Sequence, residues 1–472
     1  MKKNLIHLPL ALLFSTLFYD QDFGLNMLLF AIIAVALVVV SKPSIRSRRD
    51  FIFSASLYVL SGIFVFTVNS GLAQFNYFIA FLVFAGSISG RGNSVYVQWF
   101  NGMYQSTIGV LHAHIHRDKN IAPPKQKKDI GFILLTTVVV VIICVLFASL
   151  YGIANPIFGK WLDAIDLSFF NFPWFILAVM GYVLLRNLTA PAELDIITTI
   201  DRNASLHLKE ELLAESQKSR LQKEALLGTI LLGALNGLIL LFILADVMYL
   251  AQNPLEDAVV LSATVHEGVN ALVTSIIIAI TIILILFRGN LNFYKKSATL
   301  RTLTYVWLGL NILIVLLTTY KNFLYSTGFG LTYKRIGVFV YLLFCVVGMV
   351  TTYLKIARKH NLLFMFKTNA RVAFVVLILL ASFSWTRSIT HFNLGTVKNP
   401  DIPYLISLGP DNGDLLYAFA KAYPSKSLDR DRIEREYHSW KFKLDEETWQ
   451  SKTLQGILNS QNKTYEIVGT SY

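Results

Sequence analysis

The chain has 472 residues, of which 54% are hydrophobic and 15% charged, and its mean hydropathy is +0.55. Soluble globular proteins contain about 25% charged residues, so this composition excludes an ordinary soluble domain. The formal net charge is +13. Its positive residues lie in short segments beside apolar stretches, where membrane orientation and anionic lipid account for them, so no nucleic-acid partner is predicted.

Eleven apolar segments follow one another along the chain. A helix needs about 20 apolar residues to cross the hydrocarbon core of a bilayer, and the apolarity here is continuous rather than alternating, which excludes a β-barrel. The pattern therefore predicts an all-α polytopic transmembrane helix bundle of about 11 spans. The approximate bounds of the spans are 4–19, 24–41, 51–68, 76–90, 130–151, 171–187, 225–248, 260–287, 302–319, 336–355 and 372–388.

The first segment is similar to a signal peptide, because basic Lys2 and Lys3 precede a short apolar run. It lacks a small-x-small cleavage site before Tyr19, so it is predicted to be retained as the first span. The turn 19–23 is expected to join it to the second segment in a helical hairpin.

Lysine and arginine fall almost entirely on alternate connections between the spans. With the N-terminus placed inside, the inner segments hold 27 of these residues and the short outer loops hold four: Lys160, Lys321, Lys334 and Arg335. Basic residues resist translocation, so the N-terminus is predicted to be cytoplasmic and the C-terminus external. The location that fits is the bacterial inner (cytoplasmic) membrane, with lipid bilayer around the bundle and anionic lipid at its cytoplasmic face.

Residues 1–388 are predicted to form the transmembrane domain and residues 389–472 a small external, periplasmic C-terminal segment that is helical over 427–461. About 84 residues are few for an independent core, so this tail is expected to rest on the membrane domain. Segment 205–224 is rich in strong helix formers and is predicted to extend the seventh span into the cytoplasm. The tail and this cytoplasmic helix are the two places where a protein partner is expected.

A polar group opens the eighth span. His266 and Asn270 are four residues apart and share a helix face, and Glu267 lies beside them near the predicted outer interface. Ionisable residues at membrane depth are costly and therefore suggest function. The structural alternative is that these residues sit among lipid headgroups or cap the helix.

The loop 320–335 breaks the charge rule. It places Lys321, Lys334 and Arg335 on the side where cations are otherwise rare. Lys321 or Arg335 is positioned to pair with Glu267 or with Asp246 at the outer end of the seventh span. An ion pair that orients helices is favoured here over a ligand site.

Asp20 and Asp22 form an Asp-x-Asp in the first external loop. Some polytopic glycosyltransferases with about 11 spans carry acidic residues there for a metal and a base, which gives the alternative of a membrane-embedded glycosyltransferase-like enzyme. Two acids in a five-residue turn are also ordinary helix punctuation, and a tight turn leaves little room for a substrate. No catalytic residue is therefore assigned.

Three imidazoles alternate at His112, His114 and His116 in the cytoplasmic connection 91–129. On an extended segment they could bind a metal, but no cysteine or carboxylate pair completes a site, and a basic helix beside the membrane is the default. No metal site and no cofactor are predicted.

Small residues and amides recur inside the spans. They are Gly86-x-x-x-Gly90 and Gly233-x-x-x-Gly237, and the amides Asn236 and Asn311. The glycine pairs predict close helix packing, and the asparagines predict hydrogen bonds between helices.

Four short segments carry a resemblance to a known family: 265–272, 287–292, 328–335 and 401–410. They are similar to an uncharacterised bacterial multipass membrane protein family, domain of unknown function 4173, and to its relative 4153. In that family a Gly-Leu-Thr-x-x-Arg stretch, here ending at Arg335, precedes a later span, and an Asp-x-x-Tyr-Leu, here from Asp401, follows the last span. The family has no established activity, so the resemblance implies a shared scaffold and no catalytic or ligand residue.

The sequence favours non-enzymatic roles. A transport-related role would use the polar group on the outer face and would need a polar cavity that reaches Asn236 or Asn311 at mid-membrane. A sensing or scaffolding role would use the external tail and the cytoplasmic helix. The glycosyltransferase-like alternative would use Asp20 and Asp22.

Overall fold

The computed structural model describes residues 6–115, 130–163, 171–192, 194–212, 214–252, 258–424 and 428–459. It describes the backbone alone at 110–115, 130–132, 134–135, 138–139, 142, 163, 216, 252, 258–270 and 273. The described chain is mostly helical, its helices are joined by turns and short irregular segments, and an isolated β-bridge joins His207 and His360. Its α-helices are α1 (His7–Phe18), α2 (Leu25–Ser41), α3 (Arg49–Thr67), α4 (Gly71–Ser89), α5 (Val95–Ile115), α6 (Ile130–Ala154), α7 (Pro156–Asp163), α8 (Phe172–Thr189), α9 (Asp195–Asn203), α10 (Glu215–Gln252), α11 (Ala258–Leu286), α12 (Ala298–Phe329), α13 (Tyr333–Ala357), α14 (Leu362–Leu380), α15 (Trp385–Thr396), α16 (Ile402–Ser407), α17 (Gly413–Ala422) and α18 (Arg430–Asp445).

Among the described residues, seven helices are long and apolar enough to cross a membrane by length and composition: α3, α4, α8, α10, α12, α13 and α14. Shorter apolar helices cover His7–Phe18, Leu25–Ser41, Ile143–Ala154 and Thr274–Leu286. All eleven predicted spans therefore overlap a helix, and seven of them meet the length and hydropathy of a span. The prediction of an all-α fold is confirmed.

The last predicted span is misplaced. Its bounds were 372–388, whereas α14 covers Leu362–Leu380 and the chain turns before α15 begins at Trp385. Lys367 and Arg371 lie within α14 rather than in front of it. They are four residues apart and share a helix face in the first half and at the middle of α14, and their long side chains can pack their apolar stems along the helix while the charged heads reach a polar environment.

The predicted cytoplasmic helix 205–224 is wrong over its first half. Residues 205–212 are not helical, and α10 begins at Glu215. The Leu208 amide donates to the Lys359 carbonyl at 2.9 Å, and the Asn361 amide donates to the Leu206 carbonyl at 3.0 Å. These hydrogen bonds to a distant turn replace those of a helix, and helix propensity alone does not reveal them.

The chain divides into two compact units. The first comprises residues 1–203, 375–383 and 443–472. In it, α5 packs closely on α4: a Cβ built on Gly86 would lie 1.8 Å from the Gln98 carbonyl oxygen, and one on Gly102 would lie 1.8 Å from that of Leu82. The connection 91–129 thus contributes a packed helix, and Gly86 has the close-packing role predicted for its motif.

The second unit comprises residues 204–374 and 384–442. Side chains of α10, α11, α12 and α13 form its larger core, which includes Leu232, Ile283, Trp307, Val315 and Met349. A smaller core joins the start of α13 to the helices of the C-terminal segment: Ile336, Ile389, Ile402, Leu405, Ile406, Leu416, Ala420 and Ile433. The first part of the tail therefore shares its core with an apolar helix. The predicted division at residue 389 concerns the side of the membrane and stays a prediction.

Candidate functional site

The predicted loop 320–335 is wrong over most of its length, because α12 continues to Phe329 and α13 begins at Tyr333, which leaves only residues 330–332 between them. This stretch lies at one end of the second unit and contains three of the residues singled out in the sequence. Lys321 forms an ion pair with Asp246 of α10, and the two side chains are 17% and 12% exposed. The Lys321 ammonium also lies 5.9 Å from the centre of the Tyr249 ring. This pairing between α10 and α12 is one of those considered from the sequence. Each partner lowers the cost of burying the other's charge.

The turn between α12 and α13 is closed by its own residues. Gly330 has φ +87°, a left-handed conformation that glycine adopts without strain. Thr332 is the N-cap of α13, because its hydroxyl accepts from the Arg335 amide at 3.3 Å. Arg335 donates back to the Gly330 carbonyl, and its guanidinium lies 3.8 Å from the centre of the Tyr325 ring. The Gly-Leu-Thr-x-x-Arg stretch is therefore a helix start held by its own side chains.

Asn393 of α15 fastens this turn. Its amide oxygen accepts from the Leu331 amide at 2.5 Å, and its amide nitrogen donates to the Leu331 carbonyl at 3.0 Å. A Cβ built on Gly330 would lie 2.9 Å from the Asn393 Oδ1 atom, so only glycine fits there. We refer to Tyr325, Gly330, Leu331, Arg335 and Asn393 as the Gly330 cluster.

Two tyrosines extend the connection to the C-terminal segment. The Tyr333 hydroxyl lies 2.8 Å from the Thr386 hydroxyl of α15, and the Tyr333 amide donates to the Tyr404 hydroxyl at 3.2 Å. Asp401 caps α16 by accepting from the Tyr404 amide at 3.0 Å. Burial raises the pKa of Tyr404, which keeps its hydroxyl neutral. The two family-like motifs, 330–335 and 401–405, thus lie in contact.

An open cleft of about 720 Å³ lies beside the Gly330 cluster on α15. Its lining includes Arg387, Ser388, His391, Phe392 and Leu331. Arg387 donates to both carboxylate oxygens of Asp414, at 2.6 and 2.9 Å. Because the guanidinium is already paired, the cleft presents hydroxyl, imidazole and apolar groups rather than a free charge.

A second polar cluster lies at the opposite end of α13. Lys355 is 1% exposed, and its ammonium donates to the Phe287 carbonyl at 2.6 Å, just beyond the end of α11. The side-chain amide of Asn292 donates to the same carbonyl at 2.7 Å and to the Gly289 carbonyl at 2.8 Å. A helix C-terminus carries partial negative charge, so it stabilises this buried cation.

The turn after α13 lies close to segment 205–208. The rings of His207 and His360 have centroids 4.4 Å apart, and His360 stacks on Phe364 at 3.9 Å. The Asn361 side chain donates to the Ser205 carbonyl at 2.6 Å. Burial lowers the pKa of His360, and a hydrogen bond with the Leu206 carbonyl partly opposes this. The neighbouring His207 imidazole and the positive charge of Arg358 lower the pKa further.

The remaining residues of the predicted outer group are only partly placed. Lys334 is exposed at the start of α13. The side chains of His266, Glu267 and Asn270 lie outside the described residues, although their backbone belongs to α11. The structure therefore brings together Asp246 with Lys321, and Arg335 with Gly330.

Asp20 and Asp22 lie in the first unit, on the turn between α1 and α2, and both are exposed. The end of the chain covers the neighbouring start of α2: the Leu25 amide donates to the Lys452 carbonyl at 3.0 Å, and the Asn26 amide donates to that of Gln450 at 2.8 Å. A Cβ on Gly24 would lie 2.1 Å from the Ser451 carbonyl oxygen. The tail thus occupies the surface beside this turn.

Both mid-span asparagines lie inside the core of the second unit. Asn236 is 6% exposed and donates to the carbonyls of Leu232, at 2.7 Å, and Leu303, at 3.0 Å. Asn311 is 4% exposed and donates to the Trp307 carbonyl at 2.8 Å. The hydrogen bond from Asn236 to the backbone of α12 is of the interhelical kind predicted, whereas the Asn311 bond stays within its own helix.

Other sequence candidates have plainer outcomes. A Cβ on Gly233 or Gly237 would meet no atom within 4 Å, so the prediction of close intramolecular packing for this pair is wrong. The side chains of His112 and His114, and all of His116, lie outside the described residues. Among the residues that were searched, no group of three or more metal-ligating side chains occurs.

Asn393 and Lys355 are interacting residues that the sequence analysis did not single out, whereas Tyr404 belongs to the Asp-x-x-Tyr-Leu motif. Asn393 lies in the predicted external tail, and Lys355 is one of the 27 basic residues assigned to the inner segments. The sequence feature that could have identified Lys355 is its place in the last turn of a long apolar segment, where a charged side chain is either solvated or bonded to a polar group. Asn393 carried no local signal, because its partner is 62 residues away.

Together these features define a helical protein with seven candidate membrane spans among its described residues, in which an apolar helix, α13, is bonded at both ends. The chain belongs to the family described as domain of unknown function DUF4153, whose model matches residues 7–418. The match includes both motifs that meet at the Gly330 cluster. It agrees with the related family named from sequence and does not support the 4173 name. No curated protein and no solved structure matches the chain.

Proposed function

We propose that this protein is a multipass membrane protein with a sensing or scaffolding role, in which α13 connects an external helical segment to the cytoplasmic connections of the bundle. The charge asymmetry of the sequence supports eleven spans, a cytoplasmic N-terminus and a location in the bacterial inner membrane. The external segment and the cytoplasmic segment 205–224 are the surfaces offered to a protein partner.

The observation that carries this proposal is the bonding of α13 at its two ends. At one end Asn393 and Thr386 of α15 bind the turn 330–332 and the first residue of α13. At the other end Lys355 is bonded to the Phe287 carbonyl, and the turn 358–361 is hydrogen-bonded to segment 205–208. A helix of 25 residues is about 37 Å long, which is enough to cross a bilayer as a stiff rod.

Two observations favour this role over transport. Asn236 and Asn311 are buried in an apolar core and hydrogen-bonded to backbone carbonyls, rather than lining a polar path. Lys321 is already paired with Asp246, and Arg335 is engaged with Gly330 and Tyr325. A transport role would need mid-membrane polar groups that can face water.

No described contact favours the glycosyltransferase-like alternative. Asp20 and Asp22 are exposed, and the tail covers the neighbouring start of α2. A metal-assisted transferase would need its carboxylates converging on a substrate cleft.

The experiment is hydrogen–deuterium exchange of the protein in lipid nanodiscs, comparing the wild type with Asn393→Ala. Loss of the two hydrogen bonds should free the loop 328–335, and a connected α13 should raise exchange at 205–212 and 358–361 by about fivefold, the effect of losing about 1 kcal/mol of local stability. Tyr333→Phe, which removes a single hydroxyl contact, should give a smaller change at the same segments.

The matched control is His391→Ala on the same helix, an exposed cleft residue whose replacement should leave exchange at 205–212 unchanged. If Asn393→Ala raises exchange at 328–335 and leaves 205–212 and 358–361 at the wild-type rate, the two ends of α13 are not connected and the proposal fails.

A further inference from the structure

Three connectors of the second unit are joined into one surface at the end of α13 that holds Lys355. They are segments 205–212, 287–297 and 358–361, which together we name the basic platform. The first two are joined by Asn290, whose side chain exchanges hydrogen bonds with the backbone of Glu211, each at 3.1 Å. The first and third are joined by the backbone bonds between 206–208 and 359–361.

The second and third connectors meet through an aromatic ring. The Lys359 ammonium lies 4.6 Å from the centre of the Phe293 ring. Beneath them the buried Lys355 ammonium is bonded to the Phe287 carbonyl and has no carboxylate partner among the described residues. Its positive charge adds to the potential of the surface above it.

The platform carries several exposed cations and few acids. The exposed cations are Arg288, Lys295, Lys296, Arg358, Lys359 and Lys209. Two exposed acids, Glu210 and Glu211, lie on the same surface. The ion pairs formed by the described residues involve other cations, so the six cations outnumber the two acids and the surface keeps a net positive charge.

The position of the platform along the apolar helices decides what such a surface meets. Its connectors follow α11, precede α12 and join α13 to α14, so its cations stand at the ends of apolar segments of about 20 residues or more. Half-buried Phe293 and Tyr294 lie among them, and aromatic side chains are enriched at the level of lipid headgroups. A soluble polyanion is a poorer fit, because these cations lie in connectors directly beside the ends of apolar helices.

We propose that the basic platform binds anionic phospholipid, with Arg288, Lys295, Lys296 and Arg358 contacting the phosphate of the headgroup. This inference rests on the proposed membrane location and gives the proposed connection through α13 a lipid partner at one end. Guanidinium and ammonium groups both donate to phosphate oxygens, and each cation near an anionic surface contributes about 1 kcal/mol, which is about fivefold in affinity.

The test titrates detergent-solubilised full-length protein with short-chain phosphatidylglycerol, using phosphatidylcholine as the uncharged comparison and thermal unfolding as the readout. The wild type should be stabilised by phosphatidylglycerol and much less by phosphatidylcholine. Lys295→Gln/Lys296→Gln should weaken the apparent affinity for phosphatidylglycerol by about 25-fold, the product of two fivefold losses. Both side chains are exposed, so the variant should fold normally.

The matched control is Arg46→Gln/Arg49→Gln, which removes two exposed cations, one from the connector between α2 and α3 and one from the first residue of α3. It should retain the wild-type response. If both double variants lose the same affinity, the effect is diffuse surface charge and the platform is not a site; if neither changes it, the proposal is also overturned. The hydrogen–deuterium exchange experiment tests the connection through α13 separately, so either result here leaves that proposal untouched.

Discussion

At the scale of the residue, cationic side chains repeatedly donate hydrogen bonds to backbone carbonyls at the ends of helices. Arg48 donates to the carbonyls of Ser87, Ile88 and Gly90 at the end of α4. Lys355 does the same for the Phe287 carbonyl after α11, and Arg335 for the Gly330 carbonyl after α12. The last carbonyls of a helix have no partner within it, and in an apolar setting an unpaired carbonyl costs several kcal/mol, so a cation is an effective cap.

The Lys321–Asp246 pair makes a prediction at this scale. Asp246→Asn removes the counter-charge of a largely buried ammonium, so we expect the free energy of unfolding to fall by about 3 kcal/mol. Thermal unfolding in detergent measures the loss.

Asp246→Asn/Lys321→Met serves as its control. The double variant no longer buries an unpaired charge and should be more stable than Asp246→Asn alone. A double variant as unstable as the sum of the two single variants would show that the ion pair does not couple α10 to α12.

At the scale of the element, two glycine pairs with the same spacing differ in whether another helix packs against them. Gly86 lies where α4 and α5 come into backbone contact, whereas Gly233 and Gly237 face open space on α10. Both pairs have the same four-residue spacing and lie in apolar segments. The difference depends on whether another helix crosses at that point, which the spacing does not encode.

Gly86→Ala is expected to lower the free energy of unfolding by about 2 kcal/mol, because the new Cβ would lie 1.8 Å from the Gln98 carbonyl oxygen and α5 must move away. Gly237→Ala is the matched control and is expected to be neutral or to stabilise the protein by about 0.5–1 kcal/mol, since alanine favours a helix over glycine. Thermal unfolding of both variants under one condition measures the contrast. Equal effects would contradict the close crossing of α4 and α5.

At the scale of the whole molecule, the charge asymmetry predicts which side of the membrane each connection faces. Arg46 and Lys334 are both exposed, and they lie in connections that the sequence assigns to opposite sides of the membrane. With Cys144 and Cys345 replaced by alanine, Lys334→Cys should react with an impermeant maleimide added to intact cells. Arg46→Cys should react only after the cells are opened. The reverse pattern would invert the proposed topology.

Much of the helical content was predictable from the sequence, because apolar length is a local property measured along the chain. All eleven apolar segments overlap a helix, and the turn 19–23 separates α1 from α2 as predicted. Two predictions from local rules were wrong. Lys367 and Arg371 were predicted to precede the last span because they are charged, but they lie inside α14. Segment 205–212 was predicted to be helical from its helix propensity, but it is hydrogen-bonded to a distant turn. In both cases a tertiary or interfacial alternative outweighed a local rule.

The sequence by itself determined the class of the protein, the approximate places of its apolar helices and the orientation that its basic residues favour, since each follows from hydropathy and charge read along the chain. The pairing of Lys321 with Asp246 was only one of several combinations that the sequence left open. The tertiary structure selected it, and it alone brought Asn393 to Leu331, Lys355 to the Phe287 carbonyl, and the tail to the start of α2. These contacts join residues that are 62 or more positions apart, and hydrogen bonds of that kind depend on which helix ends meet in space, not on any pattern within one segment.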